Sequence, residues 1–220
     1  MDVTLAEELL LMAYDGETGK ASAGSAELDC GLAGAVLLEL TLAGRIDVVD
    51  GKISVLDAAP TGEQVTDIVL QRISTEGRSR KPQWWVGKLR SKIRPAVLAR
   101  LTERGVLRHA EHKVMGLFPV QRYPAVDSAV QTAARTRLDM AVVKGVQPDP
   151  RTAALASLLD ACGLAKRAFP DLDRRQLRAR MKQIDESQWA GAAVRKAIQS
   201  IHAAVAASTA AATSVAAPSG

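Results

Sequence analysis

Residues 31–46 read Gly-Leu-Ala-Gly-Ala-Val-Leu-Leu-Glu-Leu-Thr-Leu-Ala-Gly-Arg-Ile, and this stretch decides the fold. Between Gly31 and Gly44 it is apolar apart from Thr41 and one charge, Glu39. A membrane span needs roughly 20 such residues, so the run predicts a buried helix over 32–42. Gly44 stands where a helix ends in a left-handed residue. Arg45-Ile46-Asp47-Val48-Val49 and Lys52-Ile53-Ser54-Val55-Leu56 then flank Asp50-Gly51, the strongest short-range signal for a β-hairpin. Gly31 and Gly34 could cradle a phosphate at a helix start. Close helix packing is the preferred reading.

Outward from this unit the pattern is mostly helical. Leu5, Leu9, Leu10, Met12 and Ala13 follow a helical period over 3–14, and 15–29 is a polar connection. Pro60 and Thr61, with Gln64, suggest a capping box opening a helix to Ile73. Two helices are expected at 84–92 and 94–104, the second with Pro95 in its first turn. Gly105 ends it, and 106–108 with 114–120 read as another strand pair. Leu40-Thr41-x-x-Gly44 and Leu101-Thr102-x-x-Gly105 are thus echoes, each a helix, a glycine and a β-ribbon. Helices over 125–143, 150–164, 173–184 and 187–207 follow. The expected fold is mainly α: one domain over 1–202, a helical core with amphipathic helices around it and two or more short hairpins. Residues 203–220 are Ala-rich and low in complexity, and are expected to be a disordered tail.

Composition excludes several classes. The chain of 220 residues is 47% apolar, which sets it apart from disordered sequences. Cys30 and Cys162 are too few for a disulfide scaffold. The amino terminus carries Glu7 and Glu8 without a basic flank, unlike a signal peptide. Arginine-over-lysine and alanine bias is the association expected of a GC-rich bacterial genome. The histidines His109, His112 and His202 form no metal-binding spacing, and no nucleophile elbow, P-loop or dinucleotide fingerprint is present. The sequence therefore predicts no enzyme, no cofactor and no metal.

The formal charge of +5 conceals a strong asymmetry. Residues 1–70 carry a net −10, residues 71–108 a net +9 and the remainder +6. Either the acidic and basic segments face each other, or the basic ones attract an anion. Residues 78–94 read Arg-Ser-Arg-Lys-Pro-Gln-Trp-Trp-Val-Gly-Lys-Leu-Arg-Ser-Lys-Ile-Arg. Its Lys88, Arg90, Lys92 and Arg94 are candidate anion ligands. Trp84 and Trp85 either contact a membrane interface or pin the helix into the core. Arg174, Arg175 and Arg178 form a second candidate surface, or the wet face of a helix.

The blocks LAEELLLMAYD, GLAGAVLLELTLAGRI, AAPTGE, VLARLTERGVL, PDPRTAALASLLDACGLAKRAF and WAGAAVRKAI, in this order, resemble the Golgi phosphoprotein 3 family, the last in its bacterial branch. The resemblance covers about residues 4–200. It implies a single helical domain and, from eukaryotic members, a peripheral membrane protein that reads phosphatidylinositol 4-phosphate. The implied head-group pocket uses one Trp and three Arg, which fall here on Gly24, Ala33, Gln147 and Pro150. None is retained, but Arg151 stands beside the last and is a candidate head-group ligand. The implied function is a cytoplasmic, non-enzymatic binding protein on the inner membrane face, its partner an anionic phospholipid head group. The alternatives are a winged-helix-like nucleic-acid binder, or a protein adaptor or homo-oligomeric scaffold.

Overall fold

The computed structural model describes residues 3–21, 24–114, 118–186 and 192–215. Helix α2, Ser25–Leu42, is its axis. It begins within the expected polar connection, with Gly24 as N-cap. Leu28, Cys30, Leu32, Ala33, Ala35, Leu37, Leu38 and Leu40 are all fully buried, so apolar side chains point outward in every direction. A helix of that kind is stable only when enclosed. Around it stand α1 (Leu5–Ala13), α3 (Gln64–Thr75), α4 (Pro82–Glu103), α6 (Pro150–Ala161) and α9 (Ala192–Val215). Helices α5 (Ala129–Leu138), α7 (Ala165–Ala168) and α8 (Arg174–Glu186) complete a mainly α single domain. Two separate hairpins, β1 (Ile46–Val49) with β2 (Lys52–Val55) and β3 (Ala110–Val114) with β4 (Phe118–Arg122), are antiparallel.

The sequence echo is a repeated cap. At the end of α2, Gly44 N–H donates to the Thr41 carbonyl at 3.0 Å and Arg45 N–H to that of Leu40 at 2.9 Å. At the end of α4, Gly105 and Val106 make the same bonds to Thr102 and Leu101, at 3.0 and 2.9 Å. Both glycines have φ near +68°, the left-handed conformation this motif requires. Each cap turns the chain straight into a ribbon. The first is closed by Asp50 and Gly51, both at positive φ, the signature of a two-residue hairpin turn.

Close approach to α2 is made possible by Gly31 and Gly34. A Cβ on Gly31 would stand 2.2 Å from Cys162 Sγ, and one on Gly34 2.3 Å from Val205 Cγ2. The glycines therefore serve packing against α6 and α9 and are enclosed rather than open to a phosphate.

Several boundaries differ from the sequence reading. The two helices expected around Pro95 are one, because the buried stripe Leu89, Ile93, Val97, Leu101 runs unbroken past it. Glu63, not Thr61, caps α3: its carboxylate accepts from Val65 and Thr66 N–H, while Thr61 donates to Asp67. The strand expected at 106–108 reduces to one bridge, Leu107 to Ala125, and the ribbon starts at Ala110. The helix expected to reach Val143 gives way at Asp139 to a π-helical turn, Asp139–Val143. The boundary expected at residue 203 falls inside α9, where Ala204 and Val205 are buried and helix continues to Val215. Alanine has the highest helix propensity, so low complexity here does not oppose helix.

Gly34→Val should therefore lower stability by about 1–3 kcal/mol through overpacking. Urea denaturation followed by circular dichroism reads this directly, and an unchanged midpoint would refute the enclosed packing of α2.

Candidate functional site

Three carboxylates lie where a carboxylate is costly. Glu7 and Glu8 are 1% and 4% exposed on α1, and Glu39 interrupts the apolar face of α2. Buried charges survive only when paired, and arginines from three helices supply the partners. Glu7 meets Arg100 and Arg104 of α4 at 3.1 and 2.9 Å. Glu8 meets Arg137 of α5 at 2.6 Å and Arg151 of α6 at 3.2 Å. Glu39 meets Arg151 at 2.9 Å and accepts from Leu5 N–H at 2.6 Å. Glu63 pairs with Arg100 as well. The acidic amino-terminal third and the basic middle thus face each other at the centre of the fold.

Glu8, Glu39, Glu63, Arg100, Arg137 and Arg151 of this network line a cleft of about 780 Å³ whose rim includes Val3, Thr61, Ala129 and Ala133. The sequence reading did not single out Glu7, Glu8, Glu39, Glu63, Arg100 or Arg137. A signal existed, since Glu7, Glu8 and Glu39 interrupt runs otherwise fit only for burial.

Arg151 is placed differently from its expected role. Its Nη1 and Nη2 donate to Glu39 and the Val3 carbonyl, and its Nε stands 3.2 Å from Glu8 as an ion pair without a hydrogen bond. Burial opposes its charge, but Glu39 and then Glu8 outweigh that and keep the guanidinium firmly protonated. Arg151 is a strut among α1, α2 and α6, because Glu39 and the Val3 carbonyl already hold the two terminal nitrogens that would grip a phosphate.

The other family-pocket positions do not converge. Helices α2 and α6 run antiparallel, with Gly31 against Cys162 at one end and Arg151 against Glu39 at the other. Gly24 and Pro150 therefore sit at opposite ends of the pair, with the length of α6, roughly 18 Å at 1.5 Å per residue, between them. Ala33 is fully buried. Gln147 lines a separate 270 Å³ hollow with Gly145 and Arg180.

The candidate cations of α4 divide between two faces. At 100° per residue Lys81, Trp84, Lys88 and Lys92 share one side of the helix, and Arg90 and Arg94 fall on another. Arg94 pairs with Asp29 at 2.8 Å, and Arg90 hydrogen-bonds the Cys30 thiol, so both engage α2. Lys81, Lys88 and Lys92 are exposed and make no ion pair among the described residues, and exposed Arg78 precedes them in the same state. Trp84 is half-buried, with the Arg80 guanidinium 4.8 Å and the Lys88 ammonium 5.8 Å from its ring. Arg80 also pairs with Glu76, and its carbonyl accepts from Ile53 N–H, which ties this loop to the first hairpin. Trp85, a candidate membrane contact, is instead a core residue at 3% exposure.

Arg174, Arg175 and Arg178 lie exposed along α8, away from buried Leu177, Met181 and Ile184. Arg180 is turned inward and donates to the Val142 and Ala141 carbonyls at 3.0 and 3.2 Å, closing the π-helical turn. Helix α8 packs on α6, α7 and that turn, whereas α4 packs on α1, α2, α3 and α9. The two basic runs therefore occupy separate walls.

No group of three or more His, Cys, Asp or Glu able to hold a metal occurs among the described residues, and no described helix is long and apolar enough to cross a membrane. Burial pushes the Cys162 thiol up to about 12 and raises Cys30, against the pull of Arg90.

Fold and surface together define a mainly helical single-domain protein with internally neutralised arginines and a free lysine-tryptophan face. Residues 5–201 match the family model for Golgi phosphoprotein 3 (GPP34), and the chain belongs to that family. Its relatives include vacuolar protein sorting-associated protein 74 of Eremothecium gossypii, 28% identical over 159 residues. That match covers 62% of this chain and 48% of the relative, so the chain spans about half the length of the curated relative.

Two outcomes follow from this geometry. Arg151→Met strands Glu39, leaves Glu8 with Arg137 alone, and should cost about 3 kcal/mol of stability in chemical denaturation. Binding of the folded variant to anionic vesicles should be unaffected. Cys30 and Cys162 should resist a thiol reagent at pH 8 and react only when denaturant opens the fold; prompt native-state labelling would contradict their burial.

Proposed function

We propose that this protein is a non-enzymatic, peripheral binding protein for anionic phospholipid surfaces, working at the cytoplasmic face of a membrane. One observation carries the reading: the α4 face where Lys81, Lys88 and Lys92 stand unpaired beside half-buried Trp84. Lysines on a rigid helix supply attraction to an anionic surface, and a tryptophan between them suits the head-group layer. Arg78 extends the same charge towards the first hairpin, and Arg174, Arg175 and Arg178 offer a secondary contact on another wall. Family membership supports a membrane-associated role. Recognition of phosphatidylinositol 4-phosphate is implied by family alone, because the implied Trp and Arg positions are Gly24, Ala33, Gln147 and Pro150 here.

A nucleic-acid-binding role through the first helix-ribbon unit has less support. Helix α2, which would be its reading helix, is enclosed by other helices.

Co-sedimentation tests the proposal with phosphatidylcholine vesicles, alone or doped with phosphatidylserine or phosphatidylinositol 4-phosphate. The wild type should bind only doped vesicles and dissociate as salt rises. Removing two lysines costs about 1 kcal/mol each, so Lys88→Ala with Lys92→Ala should weaken binding roughly 30-fold. Equal binding by wild type and variant would overturn the assignment to α4. Equal binding to neutral vesicles would overturn the anionic surface itself.

A further inference from the structure

The cleft between α1, α2, α4, α5, α6 and the segment leading into α3 has features that its structural role leaves unused. Glu8 is 4% exposed, yet its Oε2 has no hydrogen-bond partner. The nearest cation, Arg151 Nε, is 3.2 Å away but does not point at it as a hydrogen-bond donor. Beside it Arg137 donates from Nη2 to the other Glu8 oxygen at 2.6 Å, leaving its buried Nε without an acceptor. One strong acceptor and one strong donor therefore stand unsatisfied on the same wall. Buried polar atoms without partners ask for water or a ligand.

The charge around them narrows the ligand. The network contains Glu7, Glu8, Glu39 and Glu63 against Arg100, Arg104, Arg137 and Arg151, and is neutral as a whole. A simple anion would meet the carboxylates, and a simple cation the guanidiniums. A neutral molecule with separated charges meets neither penalty. The remaining wall is small, with Ala43, Ala129, Val130 and Ala133, which is why the cleft keeps about 780 Å³. That lies within the range of small-molecule sites.

We propose that this cleft binds a zwitterion joining an ammonium to a phosphate, with the ammonium on Glu8 Oε2 and the phosphate on the Arg137 edge. Phosphoethanolamine is the simplest molecule of this chemistry, either free or as a phospholipid head group. The site is distinct from the α4 face and does not depend on the membrane reading.

Isothermal titration of the full chain with O-phosphoethanolamine and glycerophosphoethanolamine tests it, with ethanolamine and inorganic phosphate as half-ligands. Saturable binding of either zwitterion, at least about tenfold tighter than of both half-ligands, is the expected result. Ala133→Trp fills the cleft from an exposed helix position and leaves every charge in place, so it should remain folded and lose binding. Arg137→Gln should weaken the zwitterion about tenfold or more and leave ethanolamine unchanged. No heat from either zwitterion, equal affinity for a half-ligand, or undiminished binding by folded Ala133→Trp would overturn the site. If both zwitterions bind, vesicles with phosphatidylethanolamine distinguish the sources. Competition with glycerophosphoethanolamine assigns the lipid head group, and its absence assigns a free metabolite. Binding to anionic vesicles through α4 is read separately, with Lys88→Ala and Lys92→Ala, so either reading can fail alone.

Discussion

The burial of Glu7 and Glu8, with partly buried Glu39 beside them, is the constraint on which the architecture depends. Carboxylates at such depth are costly unless cations stand beside them. Arg100 and Arg104 come from the end of α4, Arg137 from α5 and Arg151 from α6, so three helices are held to α1 and α2 by charge as well as by apolar contact. Directional pairs of this kind fix which helix faces which. Leucine and alanine packing alone is less selective, and this core contains few aromatics to specify its geometry.

The same constraint separates structural arginines from surface cations. The chain has 29 basic side chains, but those nearest the acidic amino-terminal segment are consumed internally. Among the exposed cations are the lysines of the α4 face and the arginines of α8. Lysine suits a diffuse contact with a charged surface, whereas arginine suits the fixed bidentate geometry of the interior.

Much of the fold was legible because its signals are local. The apolar run through Leu38, the Asp50-Gly51 turn and the repeated Leu-Thr-x-x-Gly caps each encode their own geometry. Pro95 misled because a local break was outweighed by the buried stripe on both sides of it. Thr61 misled for a similar reason, since Glu63 two residues later offered the α3 N–H groups a charged acceptor. The candidate site was less legible. Trp84 and Trp85 are neighbours in sequence, yet helical geometry sends one to the rim and the other to the core. Arg151 and Lys92 are both cationic, and only the antiparallel passage of α6 along α2 turns Arg151 onto Glu39. Pairings across more than a hundred residues leave no mark in spacing.

A double-mutant cycle on Glu7 and Arg104 tests the central claim most directly. They lie 2.9 Å apart, 97 residues from each other in the chain, and Glu7 is fully enclosed. Unfolding free energies of Glu7→Gln, Arg104→Met and the double variant should reveal a coupling of about 2 kcal/mol, each single change costing more than its share of the pair. Single effects that simply add would contradict the account, and would mean that apolar packing holds these helices without help from the buried charges.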